Sequence, residues 1–194
     1  MKKIWPALLC LLILCGCGKE YDRAEEVQQR FANLASYDAS VRVSIPHEDE
    51  TIAYTLHLSM QGDTVRAAVS EPEELALVGA VLTGEKLALT FDDLVLDAGT
   101  LSPRVSALNC VPLILRAFPK AYLDSSGTET LGDTDALRAD FSLTLGSETL
   151  ACTLWFDEAD APVYAEIAEN DKIIAAAEFT NFIFGDILSP DAAQ

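Results

Sequence analysis

From Tyr37 onward, apolar and polar residues of this chain alternate with a period of two over most of its length. "ASVRVSI" sets Ala39, Val41, Val43 and Ile45 against Ser40, Arg42 and Ser44. "TIAYTLHLSMQ" sets Ile52, Tyr54, Leu56, Leu58 and Met60 against mostly polar partners. Successive strand side chains point to opposite faces, so each run predicts a strand with one face toward a core. "PHEDE" and "QGD" separate these runs and "TVRAAVS" follows, which predicts three antiparallel strands joined by turns. The second half repeats the meander in "ALRADFSLTL", "TLACTLWFD", "VYAEIAE" and "KIIAAAEFTNFIFG", separated by Gly146-Ser147-Glu148, "EADAP" and Asn170-Asp171.

Three segments break this rhythm. Ala24, Val27, Phe31 and Leu34 recur at steps of three and four, which predicts a helix from about Asp22 to Ala35 with one apolar face. "ELALVGAVLTGEKLALTFDDLVLDAG" is apolar on both strand faces and broken only at Thr83-Gly84-Glu85 and Asp92-Asp93, which predicts a sheet region covered on both sides. "SPRVSALNCVPLILRAFPKAY" is bracketed by Pro103 and Pro119 and interrupted by Pro112, which suits two short helices with Pro112 in a first turn. Within it Leu108, Val111, Leu115 and Phe118 recur at helical spacing, while Ala107, Ile114 and Ala117 make the other side hardly more polar. Such a helix must cover something or be covered. Together the elements predict a mainly β (α+β) fold. It is a single curved antiparallel sheet or incomplete β-barrel of roughly ten strands, with an N-terminal helix and central helices over its concave face.

The front of the chain decides its location. Ile4 to Leu14 follows Lys2 and Lys3 and is about a dozen residues long, where a spanning helix needs roughly 20. A basic start, a short apolar run and a small-residue end make a secretory signal. The run closes on Leu14-Cys15-Gly16-Cys17, which resembles the lipobox of bacterial lipoproteins, where the last cysteine receives a diacylglyceryl group and becomes the new N-terminus. Cys15 stands where a small or β-branched residue is more usual. The expected organisation is a signal peptide over residues 1–16, lipidated Cys17 and a short tether over 17–21, one domain over 22–185, and a tail over 186–194. Two or more acyl chains hold a protein at a membrane, so the domain is expected to be tethered to the extracytoplasmic face and not inserted.

Charge narrows the partners. The formal net charge is −18 and becomes −20 once Lys2 and Lys3 leave with the signal. Nucleic acid is excluded as a partner, because its backbone demands many cations, whereas a cationic protein partner is compatible. Of the five cysteines, Cys110 and Cys152 remain in the domain. Export permits a disulfide between them, but both lie in apolar surroundings, where buried free thiols are the commoner fate.

No constellation for catalysis emerges, and neither a cofactor nor a metal is expected. His47 and His57 are too few for a histidine-based zinc site. Asp133, Asp135 and Asp140 lack the glycine and terminal glutamate of a calcium loop. Asp92-Asp93 and Asp157-Glu158 suit strand-end turns, "DSSGTE" reads as a polar loop, and no G-x-S-x-G elbow or phosphate loop occurs. Trp155 and Phe156 fall on opposite faces of one strand, so at least one is expected at the surface.

The order of helix, meander, apolar central helices and second meander resembles the superfamily of the lipoprotein carrier LolA and its receptor LolB. The best local match is "GDTVRAAVSEPEELALVGAVLTGEKLALTFDDL", residues 62 to 94, with its strand arginine, acidic-proline turn and strand pair ending near a carboxylate. The resemblance spans about Asp22 to Gly185. It implies a non-enzymatic protein whose half-barrel takes lipid or acyl chains. Ile52, Tyr54, Leu56 and Leu58 would line the cavity, Leu108, Val111, Leu115 and Phe118 would belong to a lid, and Arg66 would tie that lid. Ala67 stands where a tryptophan is common, and "LALTF" lacks the usual aromatic pattern. A lipidated version is also similar to the germination lipoproteins of spore-forming bacteria. This leaves a second expectation, an envelope protein that positions a partner such as a wall-modifying enzyme. For the central helices, the residues themselves leave two readings open, a core helix filling the concavity or a movable lid.

Overall fold

The computed structural model of the protein describes residues 18–100 and 105–185. The signal segment, Cys17, Pro103 and the tail over 186–194 lie outside the described residues.

Helix α1 spans Gly18–Ala32 and is followed by β1 (Ser36–His47), β2 (Glu50–Gln61), β3 (Thr64–Glu71), β4 (Val78–Thr83), β5 (Lys86–Phe91) and β6 (Leu94–Thr100). Helix α2 (Cys110–Ala117) and a 3-10 turn (Phe118–Lys120) lead to β7 (Leu123–Leu131), β8 (Thr134–Leu145), β9 (Glu148–Phe156), β10 (Pro162–Glu169) and β11 (Lys172–Phe184). All eleven strands form one antiparallel sheet in the order β6-β5-β4-β3-β2-β1-β11-β10-β9-β8-β7. Every neighbour in this order is also a neighbour in sequence except β1 and β11, whose pairing joins two meanders. The sheet is open, with β6 and β7 as its edges.

The predicted periods map onto this architecture. α1 buries Ala24, Val27 and Phe31, with Leu34 buried just beyond its end, and it starts at Gly18, ahead of the predicted start at about Asp22. Inner-face residues are Val41, Val43, Leu56 and Leu58 in the first meander and Ala139, Phe141, Cys152, Leu154, Ile167 and Ala175 in the second, all buried. The two-residue turn Asn170-Asp171 has positive φ at both positions (49° and 62°), the geometry a tight hairpin demands and one these residue types tolerate.

Three expectations need correction. "DSSGTE" is not a loop but most of strand β7. Being an edge strand, it has no apolar face to advertise it, and it is held by β8 through pairs such as Gly127 with Arg138 and by Thr130 Oγ1 donating to Asp135 Oδ1 at 2.8 Å. The second correction is Trp155, which is only 5% exposed although it lies on the outer face, while Phe156 is in the core. Side chains of three strands cover it: the indole Nε1 donates to Glu129 Oε2 of β7 at 2.8 Å, the Arg138 guanidinium of β8 lies 5.7 Å from its ring, and Tyr164 of β10 packs at 5.4 Å. The third concerns β4 to β6, which were expected to be covered on both sides. Their distal part is bare: Leu94, Val95 and Leu96 are 64%, 69% and 62% exposed.

The helices account for that asymmetry. α1 docks on the β9–β10 turn, where Arg23 donates to the Asp157 carbonyl (2.8 Å), Arg30 donates to the Ala159 carbonyl (2.7 Å), and both pair with Asp160 at 3.3 Å. Gln28 Nε2 spans to the carbonyls of Phe118 (2.7 Å) and Ala121 (3.0 Å), linking α1 to the 3-10 turn. An aromatic cluster closes this end of the half-barrel, with Phe31 within 6 Å of the rings of Phe118, Phe156, Phe182 and Phe184. α2 lies over the inner face of β10 and β11, leaving the far wing without a helix above it.

Candidate functional site: the concave face of the sheet

The inner face divides into a filled part and an open part. Under α2, the side chains of Cys110, Val111 and Ile114 meet Ala165, Ile167, Ala175 and Ala177, and the void between them is about 10 Å³. That is at most the space of one water. The small residues on β10 and β11 let the helix sit close, so the interior here holds its own side chains and no ligand. Burial pushes the thiols of Cys110 and Cys152 from their ordinary 9 up to about 12, and both are free. A folded chain therefore keeps two inert thiols and no bridge.

The residues expected to form a cavity and lid come together unevenly. Leu56, Leu58, Val111, Leu115 and Phe118 join one buried cluster. Tyr54 and Leu108 pack partly buried against it, and Ile52 sits at the rim, 39% exposed. Arg66 is exposed on the outer face of β3, pairing across to Ser59 and Val81, and does not face α2. The cation that fastens the helix is Arg116: Nη1 donates to the Gly84 carbonyl at 2.5 Å and Nη2 pairs with Asp63 Oδ1 at 3.3 Å. Gly84 takes φ 57° in the β4–β5 turn, where a larger residue would be strained. Sequence reasoning missed Arg116, which was legible only as the lone charge within "VPLILRAF".

The open part is the inner face of β4, β5 and β6. Leu82 and Leu87 pair across β4 and β5 and are buried, so Leu89 and Phe91, two and four positions further on, share their face. Leu89 pairs with Leu96 and Phe91 with Leu94, which brings four large apolar side chains together on one surface, Leu89 38% and Phe91 50% exposed. This surface runs back through Val78 and Tyr54, both partly buried, into the main core, and Ile52 continues it along the rim. A contiguous exposed apolar patch of this kind marks a binding surface more often than a scatter of single residues does. The signal that could have found it was the two-faced apolar run itself, read as an uncovered region.

At the opposite end, a cleft of about 220 Å³ lies between α1, α2 and the β2–β3 turn, lined by residues that include Phe31, Leu34, Met60, Leu115, Arg116 and Lys120. It falls below the roughly 300 Å³ where small-molecule pockets begin. Beside it Tyr37 is buried, and desolvation drives its phenol far above its usual range against the opposing pull of Arg116.

The groups weighed for catalysis lie apart. His47 is exposed at a turn, and His57 Nε2 stands 3.7 Å from Asp38 on the outer face. Asp135 accepts from Thr130, whereas Asp140 accepts from Thr153 Oγ1 and Arg138 Nε. Asp157 caps its own turn through the amides of Ala159 and Ala161. Among the described residues no group of three potential metal ligands occurs, and no helix is long and apolar enough to cross a membrane.

No family model matches this chain, and no curated protein matches it in sequence. Solved structures do match it in fold. An uncharacterized conserved protein from Thermus thermophilus aligns with a TM-score of 0.51 at 14% identity, over 89% of this chain and 97% of that one. A DUF1329 family protein from Desulfovibrio piger aligns with a TM-score of 0.51 at 10% identity, over 87% of this chain and 94% of that one. A LolA superfamily protein from Nitrosomonas europaea aligns at 0.49 and 10% identity, over 87% and 95%. At these identities the likeness to the Thermus and Desulfovibrio proteins is one of fold alone, over most of each chain.

Proposed function

We propose that the protein is a non-enzymatic extracytoplasmic lipoprotein, anchored through Cys17, that binds an acyl chain or similar apolar ligand on the uncovered inner face of β4 to β6. One observation carries the reading. Leu89, Phe91, Leu94 and Leu96 form an exposed apolar surface on the concave side, continuous with the core. Covering one such side chain is worth about 1.5–3 kcal/mol when burial is complete, so a chain laid across four of them gains enough to bind. The filled interior under α2 supports the wing as the ligand's seat and α2 as a core helix.

Protein purified without detergent should carry lipid detectable by mass spectrometry and take up a fluorescent fatty acid. A Leu89→Ser/Phe91→Ser variant should lose that uptake while melting close to wild type. Absence of lipid together with uptake unchanged by the variant would remove the reading. Labelled fatty acid fed to cells tests the anchor separately, since a Cys17→Ser chain should carry none.

A second reading is an envelope protein of the sporulation or germination type that holds a partner, such as a wall-modifying enzyme, near the membrane. The excess of 31 acidic over 13 basic residues favours a cationic partner for such a role.

A further inference from the structure

The two edges of the sheet are built differently. β7 is polar, and several of its side chains bond to β8 and β9: Asp124 accepts from Ser142, Asp140 accepts from Ser125, and Glu129 accepts from both Arg138 and Trp155. β6 carries Leu94, Val95 and Leu96 in a row, exposed on both faces, and holds neither lysine nor proline. Among the described residues no strand pairs with its outer side. Sheet edges left this way add strands from other chains unless something blunts them. The pairing register with β5 slips between Lys86 and Ala88, and Gly99 donates its amide to Asp97 Oδ1 at 2.8 Å with φ 79°. The flat stretch is therefore Leu94 to Asp97.

Charge decides the occupant. Between residues 73 and 97, Glu73, Glu74, Glu85, Asp92, Asp93 and Asp97 stand against Lys86, and the other cations near these strands, Arg66 beside β4 and Arg116 at the β4–β5 turn, lie away from β6. A second copy of the chain fits badly in the register that pairs its apolar residues best. In the antiparallel self-pairing that places Leu94 opposite Leu96 of the other copy, Asp93 falls opposite the second Asp97 at both ends, and like charges directly opposite oppose pairing. An anionic membrane surface is repelled by the same carboxylates.

We propose that β6 is a docking edge for an extended apolar segment of another protein, flanked by lysine or arginine, which joins the sheet as an added strand. Main-chain hydrogen bonds along Leu94 to Asp97 supply the pairing, Val95 on the outer face and Leu94 and Leu96 on the inner face supply apolar contact, and Asp93 and Asp97 receive the basic flanks. The docking edge shares Leu94 and Leu96 with the ligand surface, but the main-chain edge, Val95 and Asp93 take no part in that surface and distinguish the two.

The test uses the full domain and a short fluorescein-labelled peptide of alternating valine and threonine with two lysines at each end. Binding should be saturable by fluorescence polarisation. Val95→Lys and Asp93→Lys should each weaken it by about tenfold or more without changing the melting temperature. A twin with glutamate flanks should not bind. N-methylation of alternate peptide residues should abolish binding in one phase and spare it in the other, because an added strand bonds through one edge only. Failure of the basic peptide to bind, or equal binding of both methylated forms, overturns the proposal. A dimer in sedimentation that Val95→Lys dissolves, with no peptide binding, would overturn it by assigning the edge to a second copy. The Leu89→Ser/Phe91→Ser variant should keep peptide binding while losing fatty-acid uptake, so failure of the ligand reading and failure of this one are separate results.

Discussion

The two meanders of this sheet share one plan and meet opposite fates. In β7 to β11 the inner face is closed by α1, α2 and the aromatic cluster around Phe118, so Leu154, Phe156 and Ile167 are fully buried. In β4 to β6 residues of the same character stay in water, although "LALTF" and "LVL" are no less apolar than "TLACTLWF". The outer faces differ as well. The second meander carries a connected polar surface of Glu129, Arg138, Asp140 and Thr153, whereas the wing presents Val95. The difference teaches that helix placement, and not strand composition, decides which part of a curved sheet is core and which is surface to be used.

That contrast is open to breakage at several strengths. Phe118→Ala, at the closed end, removes a fully buried ring packed on Phe31, Phe141 and Phe156. It should cost about 3–5 kcal/mol in urea unfolding, and a loss under about 1 kcal/mol would mean that the aromatic cluster does not close this end.

Alkaline pH should reach the closed half next. Cys110 and Cys152 are held at about 12 in the folded state against 9 ordinarily, so the native chain binds more protons than the unfolded one above pH 9. Their stabilisation is complete below 9 and is lost as pH rises toward 12. Urea midpoints taken from about pH 8 to about pH 10.5 should fall more steeply for wild type than for Cys110→Ala/Cys152→Ala. Parallel slopes would contradict the burial of both thiols.

Arg116→Ala breaks the fastening between the two halves, leaving the Gly84 carbonyl without its charged donor. An effect of about 1–2 kcal/mol is expected, against almost none for Arg66→Ala on the outer face. Equal effects would show that the helix is not held where its contacts place it. Phe91→Ser in the wing should cost less than Arg116→Ala, within about 0.5–1 kcal/mol, because the ring is already half in water. Its consequence should appear in fatty-acid uptake instead.

Much of the fold was legible in the chain. Period two over "ASVRVSI" and "TIAYTLHLSMQ" and period three to four over Ala24 to Leu34 named strands and helix with their buried faces. β7 was not legible, because an edge strand exposed on both faces shows no period. Trp155 was misjudged because its cover is the Glu129, Arg138 and Tyr164 side chains, which come from three other strands. Among the residues proposed to line a cavity, Leu56, Leu58, Val111 and Phe118 could be recognised as apolar and inward, but not as already satisfied by one another.

Local patterning, by itself, determined that this chain would be a meander of strands with a greasy helical segment in the middle and a strongly acidic surface, since side-chain direction in a strand or helix follows from spacing alone. The tertiary structure decided where α2 lies, that its underside is full, that Arg116 and not Arg66 holds it, and that β4 to β6 remain uncovered. Those outcomes depend on which strands lie beneath a given helix, a relation between residues such as Ile114 and Ala175 that stand far apart in the chain, and no periodicity within one segment encodes it.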